Sequence, residues 1–252
     1  MKVLYFTSTG NSLYVAKQFD AELFSIPKML KENKFCFEDD KIGIVFPTYG
    51  LSQPTIVKEF LSKVTLISPY IFVVTTCGDA SFGTTNSVEK LLKAKKINVS
   101  YMAEIKMADN YLPLYEMSSS IEKAKSKNIE KNLSDLLGDV NNNIKKVKKA
   151  KPLDSILTFS GHKVMKVLEK SNYKKFIVED NCNLCGTCEK VCPKNNIEIK
   201  EKVVYNKSCI GCYACTHNCP QNAIRHKKEK SKARFRNENV TLKEIIDSNN
   251  LT

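Results

Sequence analysis

The 252-residue chain has no tryptophan, so any stacking on a planar ligand falls to tyrosine or phenylalanine. No apolar stretch approaches the ~20 residues that span a bilayer, which excludes a membrane helix. The opening run, residues 1–6, passes straight into Thr7-Ser8-Thr9 and is too short for the apolar region of a signal peptide. A cytoplasmic location is therefore expected, where thiols stay reduced. No Ser–His–Asp or paired-carboxylate pattern stands out, so no catalytic residue is assigned. No fingerprint for NAD(P) is visible.

What is present is dominated by cysteine. Eight of the ten fall into one pattern written twice: Cys182-x2-Cys185-x2-Cys188-x3-Cys192-Pro193 and, 27 residues later, Cys209-x2-Cys212-x2-Cys215-x3-Cys219-Pro220. This is the run that holds [4Fe–4S] clusters in bacterial ferredoxins, and its fourth cysteine serves the other cluster. One cluster is expected on Cys182, Cys185, Cys188 and Cys219, the second on Cys209, Cys212, Cys215 and Cys192. The inner set Cys185, Cys188, Cys209 and Cys212 also fits a zinc spacing, but zinc leaves the other four without a task. A disulfide framework needs an oxidising compartment. The repeat extends past the cysteines, since Ile177 matches Val204 and Ile197 matches Ile224. That predicts a pseudo-twofold module. Gly186 and Gly211 let the backbone pass close to inorganic sulfide.

The front of the chain reads differently. Val3–Phe6 is an unbroken apolar run, as in a strand covered on both faces. It leads into Thr7-Ser8-Thr9-Gly10-Asn11-Ser12 and then a helical pattern with Val15 and Phe19. Strand, hydroxyl-rich loop and helix make a phosphate site built from neutral donors. The loop lacks the lysine of a Walker motif and the glycines of a dinucleotide fingerprint. Further strands are predicted over 42–46, 70–75 and 99–107. Two more loops follow strand ends, Pro47-Thr48-Tyr49-Gly50 and Thr76-Cys77-Gly78-Asp79. Strands alternating with helices imply an α/β, doubly wound parallel sheet, with ligands beyond the carboxyl ends of its strands.

On these loops residues 1 to about 110 resemble a short flavodoxin. The resemblance implies a flavodoxin-like five-stranded parallel sheet and bound FMN. It implies phosphate contacts from Thr7 to Ser12, and flavin contacts from Pro47, Thr48, Tyr49, Gly50, Thr76, Cys77, Gly78 and Asp79. Tyr49 and Phe82 are the aromatic candidates in the matching loops, and Asn110 and Tyr111 are further polar lining. Residues 176–226 resemble a small α+β two-cluster ferredoxin domain. The whole chain resembles anaerobe proteins that fuse the two. Gly50 is expected to allow a peptide flip beside the flavin. An empty flavodoxin-like sheet is the plainer alternative.

Between these units, residues 111–175 read as a helical extension or bridge, broken at Asn141-Asn142-Asn143 and again near Pro152. Residues 227–252 read as a basic tail with a short closing helix over 240–246. The formal net charge is +13, with +2 in residues 1–110 and +11 beyond. Such a chain suits an acidic redox protein as partner. Arg225–Arg236 carries seven Lys/Arg and one Glu, but no groove-reading or base-stacking motif accompanies it, so nucleic acid is not expected. Of the remaining candidates, His217 is expected to be exposed, and Cys36 and Cys77 are read as small hydrophobes. Oligomeric state is not legible. The expected function is electron transfer between two [4Fe–4S] clusters and FMN, a converter between one- and two-electron carriers. The alternatives are an FMN-dependent reductase of a small molecule fed by the clusters, and a redox sensor.

Overall fold

The computed structural model describes residues 1–147 and 151–251, and within these not the side chains of residues 152, 155, 162–168 and 170. The front of the chain runs β1 (Lys2–Tyr5), α1 (Asn11–Lys17), β2 (Glu22–Ser25), α2 (Ile26–Lys31), β3 (Cys36–Glu38), β4 (Lys41–Pro47), α3 (Thr55–Lys63), β5 (Thr65–Ile67), β6 (Tyr70–Cys77), α4 (Thr84–Lys93) and β7 (Tyr101–Lys106). Five of these strands form one parallel sheet in the order β2-β1-β4-β6-β7. This is the flavodoxin-like order, whose switch point lies between β1 and β4. All eight residues of β6 are buried, which explains its apolar run from Tyr70 to Val74. β2 is too short and too polar to read as a strand by itself, and pairing with β1 creates it. β3 and β5 make a separate two-stranded parallel ribbon.

The next segment holds α5 (Met117–Ala124), α6 (Ile129–Asn141) and α7 (Pro152–Asn172). Helices cover both faces of the sheet. Ile56, Phe60 and Leu61 of α3 and Val88 and Leu92 of α4 pack on one face. Leu13 and Val15 of α1 and Leu133, Leu136 and Val140 of α6 pack on the other. Each such side chain, fully buried, contributes about 1.5–3 kcal/mol. α6 is fixed in place by Tyr14 Oη donating to Glu130 at 2.6 Å and by Lys41 Nζ donating to the Val140 carbonyl at 2.8 Å. α7 runs from the sheet's helices toward the cysteine-bearing module. The Gly83 N–H donates to Thr158 Oγ1 at 3.0 Å, Thr55 Oγ1 donates to Glu169 at 2.7 Å, and Asn172 packs beside Gly211.

The cysteine-bearing module repeats itself in space as in sequence. It comprises β8 (Phe176–Val178), α8 (Thr187–Lys190), β9 (Ile197–Ile199), β10 (Val203–Tyr205), α9 (Ala214–His217) and β11 (Ile224–His226). Each element of the first copy recurs 27 residues later, and the copies pair crosswise, β8 with β11 and β9 with β10, both antiparallel. Left-handed backbone recurs with the same offset: Leu184 with Gly211, Gly186 with Tyr213, and Asn195 with Asn222. Leu184 and Tyr213 hold φ of 56° and 59° without being glycine, a conformation that costs each about 1–2 kcal/mol.

The chain then returns to the sheet. The basic run folds on itself, because Glu229 pairs with Arg225 and, at 3.2 Å, with Arg234. Beyond it lies α10 (Leu242–Asn249), opened by a capping box between Thr241 and Glu244. Ile245 joins the core beside α1, and Tyr5 Oη shares a 2.8 Å hydrogen bond with Ser248 Oγ. No helix among the described residues is long and apolar enough to cross a membrane.

Candidate functional site

The eight patterned cysteines surround two small cavities. Cys182, Cys185, Cys188 and Cys219 line one; Cys192, Cys209, Cys212 and Cys215 line the other. The zinc set of the sequence reading is split between them, and no three His, Cys, Asp or Glu among the described residues converge on a single-ion site. Burial pushes the thiols of Cys209 and Cys188 up to about 11 and about 12, and it raises Cys192, Cys212 and Cys215 as well. A thiolate in such a place needs a positive partner, which cluster iron would supply. Cys185 differs: it is exposed, and a hydrogen bond with the Thr187 hydroxyl lowers its pKa. The donor set, its burial and its grouping fit two clusters, with the pre-proline cysteines crossing over.

At the carboxyl ends of β1, β4 and β6 the three loops meet. Thr7, Ser8, Thr9, Asn11, Ser12, Pro47, Thr48 and Thr76 line a small hydroxyl-rich cavity. Its hydroxyls are tied across strands: Ser12 Oγ to Thr76 Oγ1 at 2.8 Å, Thr48 Oγ1 to Thr75 Oγ1 at 2.9 Å, and Ser8 Oγ to Tyr49 Oη at 2.7 Å. No Lys or Arg lines it, and one carboxylate, Asp109, does. Gly10 lines neither this cavity nor the next; its φ of 100° carries the loop under Asn237 and Val240.

A larger cavity, about 450 Å³, adjoins it. This lies in the range of small-molecule sites. Its walls include Thr48, Tyr49, Gly50, Cys77, Gly78, Asp79 and Phe82 from the loops, and Asn110 and Tyr111 beyond β7. Gly50 and Leu51 both have positive φ, the backbone of a type I′ turn, closed by the pair Tyr49 and Ser52. The loop after β6 is held by Lys127, whose Nζ donates to the carbonyls of Gly78 and Met107 at 2.8 and 3.0 Å and pairs with Asp79 at 3.1 Å. Burial raises the carboxyl pKa of Asp109, another wall residue, and pushes the Cys77 thiol up to about 12, so Cys77 is a neutral thiol. The hydroxyls of the one cavity would suit an anion, and the other has room for a planar ring.

The opposite wall comes from the cysteine-bearing module. Gly211, Cys212 and Tyr213 line the larger cavity, and Cys212 and Tyr213 line the second cysteine cavity too. Sequence reasoning assigned Cys212 to a cluster and Gly211 to a close pass by inorganic sulfide, and did not find Tyr213. Nothing in its neighbourhood shows which surface it faces. Tyr213 meets Tyr111, Phe176 and His226 through its ring.

His217 corrects an expectation, for it is buried. Phe235 N–H donates to its Nδ1 at 3.1 Å, so the ring proton sits on Nε2, 2.8 Å from the Asn110 carbonyl. Burial pulls its pKa down to about 4. It is a structural joint between β7's loop, α9 and the basic run.

Residues 181–224 match the family model of the 4Fe-4S dicluster domain. No curated protein matches the chain. Solved structures that match include the Trp repressor binding protein from Bacillus subtilis, 12% identical with a TM-score of 0.35, covering 58% of this chain and 100% of that one. They also include an FMN-dependent NADH-azoreductase from Bacillus anthracis in complex with FMN, 10% identical with a TM-score of 0.30, covering 54% and 100%. A flavodoxin-like sheet and a 4Fe-4S dicluster domain thus stand on one chain.

Proposed function

We propose that the protein transfers electrons between two [4Fe–4S] clusters and a bound FMN. One observation carries this reading: Cys212 and Tyr213 line both the second cysteine cavity and the 450 Å³ cavity. The cluster on Cys192, Cys209, Cys212 and Cys215 is then the one beside the flavin. The cluster on Cys182, Cys185, Cys188 and Cys219 is the outer one, next to exposed Cys185 and Leu184.

When bound, FMN supplies a centre that takes one or two electrons, and each cluster takes one, so the assembly converts between the two kinds of carrier. The chain supplies the rest. Ser8, Thr9 and Ser12 bind the phosphate with neutral donors. Buried Tyr213 shields the ring from water, with Tyr111 at the open rim. Asp109, raised by burial, holds a proton nearer neutrality than an exposed carboxylate does. The net charge of +13 supports an acidic redox protein as partner, in a reducing compartment such as the cytoplasm.

Anaerobic preparation with iron, sulfide and flavin quantified tests this. About eight irons per chain together with bound FMN, all reducible in a stepwise titration, is the expected result. Zinc in place of iron, or no yellow chromophore, overturns it. A second reading, reduction of a small molecule at the flavin, is favoured by the exposed cavity rim of Tyr111 and Leu114, 41% and 57% accessible. Rapid turnover of a small acceptor without any protein partner would establish that reading instead.

A further inference from the structure

The loop proposed to bind the FMN phosphate is held from behind by the other half of the chain. Three successive carbonyl oxygens each accept a hydrogen bond from a different asparagine. Asn249 Nδ2 donates to the Thr7 carbonyl at 3.0 Å. Asn218 Nδ2 donates to the Ser8 carbonyl at 3.0 Å. The backbone N–H of Asn237 donates to the Thr9 carbonyl at 2.8 Å, and Asn237 Nδ2 reaches Asn11 Oδ1 at 3.1 Å. These asparagines are 0%, 2% and 8% exposed respectively, and none lines the hydroxyl-rich cavity. They come from the end of α10, from the dicluster domain between Cys215 and Cys219, and from the segment joining the two.

A planar trans peptide points its C=O and the following N–H in opposite directions. Holding carbonyls 7, 8 and 9 toward the asparagines turns the N–H groups of Ser8, Thr9 and Gly10 away from them. The Gly10 N–H is taken by Thr7 Oγ1 at 3.1 Å. Ser8 and Thr9 line the cavity. With no cation and one carboxylate, Asp109, in that lining, the orientation of the neutral donors decides how well an anion is held.

We infer that Asn218, Asn237 and Asn249 are positioning residues for the FMN phosphate, so that the dicluster domain and the segment after it belong to the flavin site. This rests on the flavin reading above. Its consequence is mutual: an intact dicluster half tightens FMN, and bound FMN stabilises that half by the same factor.

The test is an anaerobic titration of the flavin-stripped, cluster-loaded full chain with FMN and with riboflavin, which lacks the phosphate, followed by flavin fluorescence. Asn218→Ala and Asn249→Ala remove side-chain donors, whereas the Asn237 bond comes from its backbone and stays. Each variant is expected to weaken FMN about tenfold, with riboflavin affinity unchanged and iron retained. Unchanged FMN affinity overturns the inference. So does an equal loss of FMN and riboflavin, which marks a general structural role. Asn249→Leu, which fills the space without a donor, replaces the alanine variant if that chain loses iron. A wild-type chain that binds riboflavin and FMN alike also overturns the positioning role, whereas one that binds neither removes the flavin reading itself.

Discussion

The rings of Tyr111 and Tyr213 meet edge to face, 5.5 Å between centroids and 81° between planes, and they come from the two halves of the chain. Both line the larger cavity. Together they supply aromatic surface that a chain without tryptophan must find elsewhere. Replacing Tyr213 by alanine should weaken FMN about three- to tenfold, the scale of one aromatic contact, while leaving iron content intact. Fluorescence titration beside iron analysis checks both halves of that statement.

Two glycines offer a paired test of packing. A side chain on Gly161 of α7 would come within 2.2 Å of the Gly50 carbonyl oxygen, so α7 can lie against the Tyr49–Ser52 turn only with glycine there. Gly161→Ala should cost about 1–3 kcal/mol through overpacking and loosen that turn. Gly138, on the exposed side of α6, meets nothing within 4 Å. Gly138→Ala should stabilise by about 0.4–1 kcal/mol, because alanine restricts the unfolded chain. Thermal unfolding of the two variants should move in opposite directions.

Glu229 lies between Arg225 and Arg234, all three side chains at most 12% exposed. Removing the shared carboxylate leaves two guanidinium groups buried without it. Glu229→Ala should therefore cost about 3–5 kcal/mol. Hydrogen exchange should show faster opening at Phe235, whose N–H bonds to His217.

His226 carries a pH dependence. Burial, then Lys175 and Lys228, pulls its pKa down to about 4 from 6.5, and its Nδ1 accepts from the Lys228 N–H at 3.2 Å. The unfolded chain binds this proton more readily than the folded one. Stability is thus complete above pH 6.5 and is lost as pH falls from 6.5 toward 4. Wild-type melting temperature should drop between pH 7.5 and 5.5, and His226→Gln should show a smaller drop. Equal drops would refute the assignment.

The cysteine pattern was legible because three of the four ligands expected for each cluster lie close in sequence, and the repeat extended the reading to β8 through β11. β4 and β6 were legible as apolar runs, and the three loops because each leaves the end of a strand. What stayed hidden depends on contacts between distant residues. Asn218 and Asn249 act on partners 210 and 242 positions away, with nothing periodic around them. Tyr213 reads as the residue after a ligand, and only the docking of two modules turns it into a cavity wall. His217 sits in a polar stretch that reads as surface, and the fold covers it with the basic run. That run in turn reads as part of a basic tail with no fixed place, because a single glutamate among seven cations gives no sign of a buried ion cluster.

The dicluster domain is moored through α7 on one side, through the stretch from Asn237 to Asn249 on the other, and directly where Asn218 meets the Ser8 carbonyl and His217 the Asn110 carbonyl. A body moored at several points does not swing. Within the proposed relay, the gap between neighbouring redox centres is then set when the chain folds and not by chance encounter. Internal electron exchange should run as a first-order event indifferent to solvent viscosity, and only exchange with outside partners should slow in glycerol.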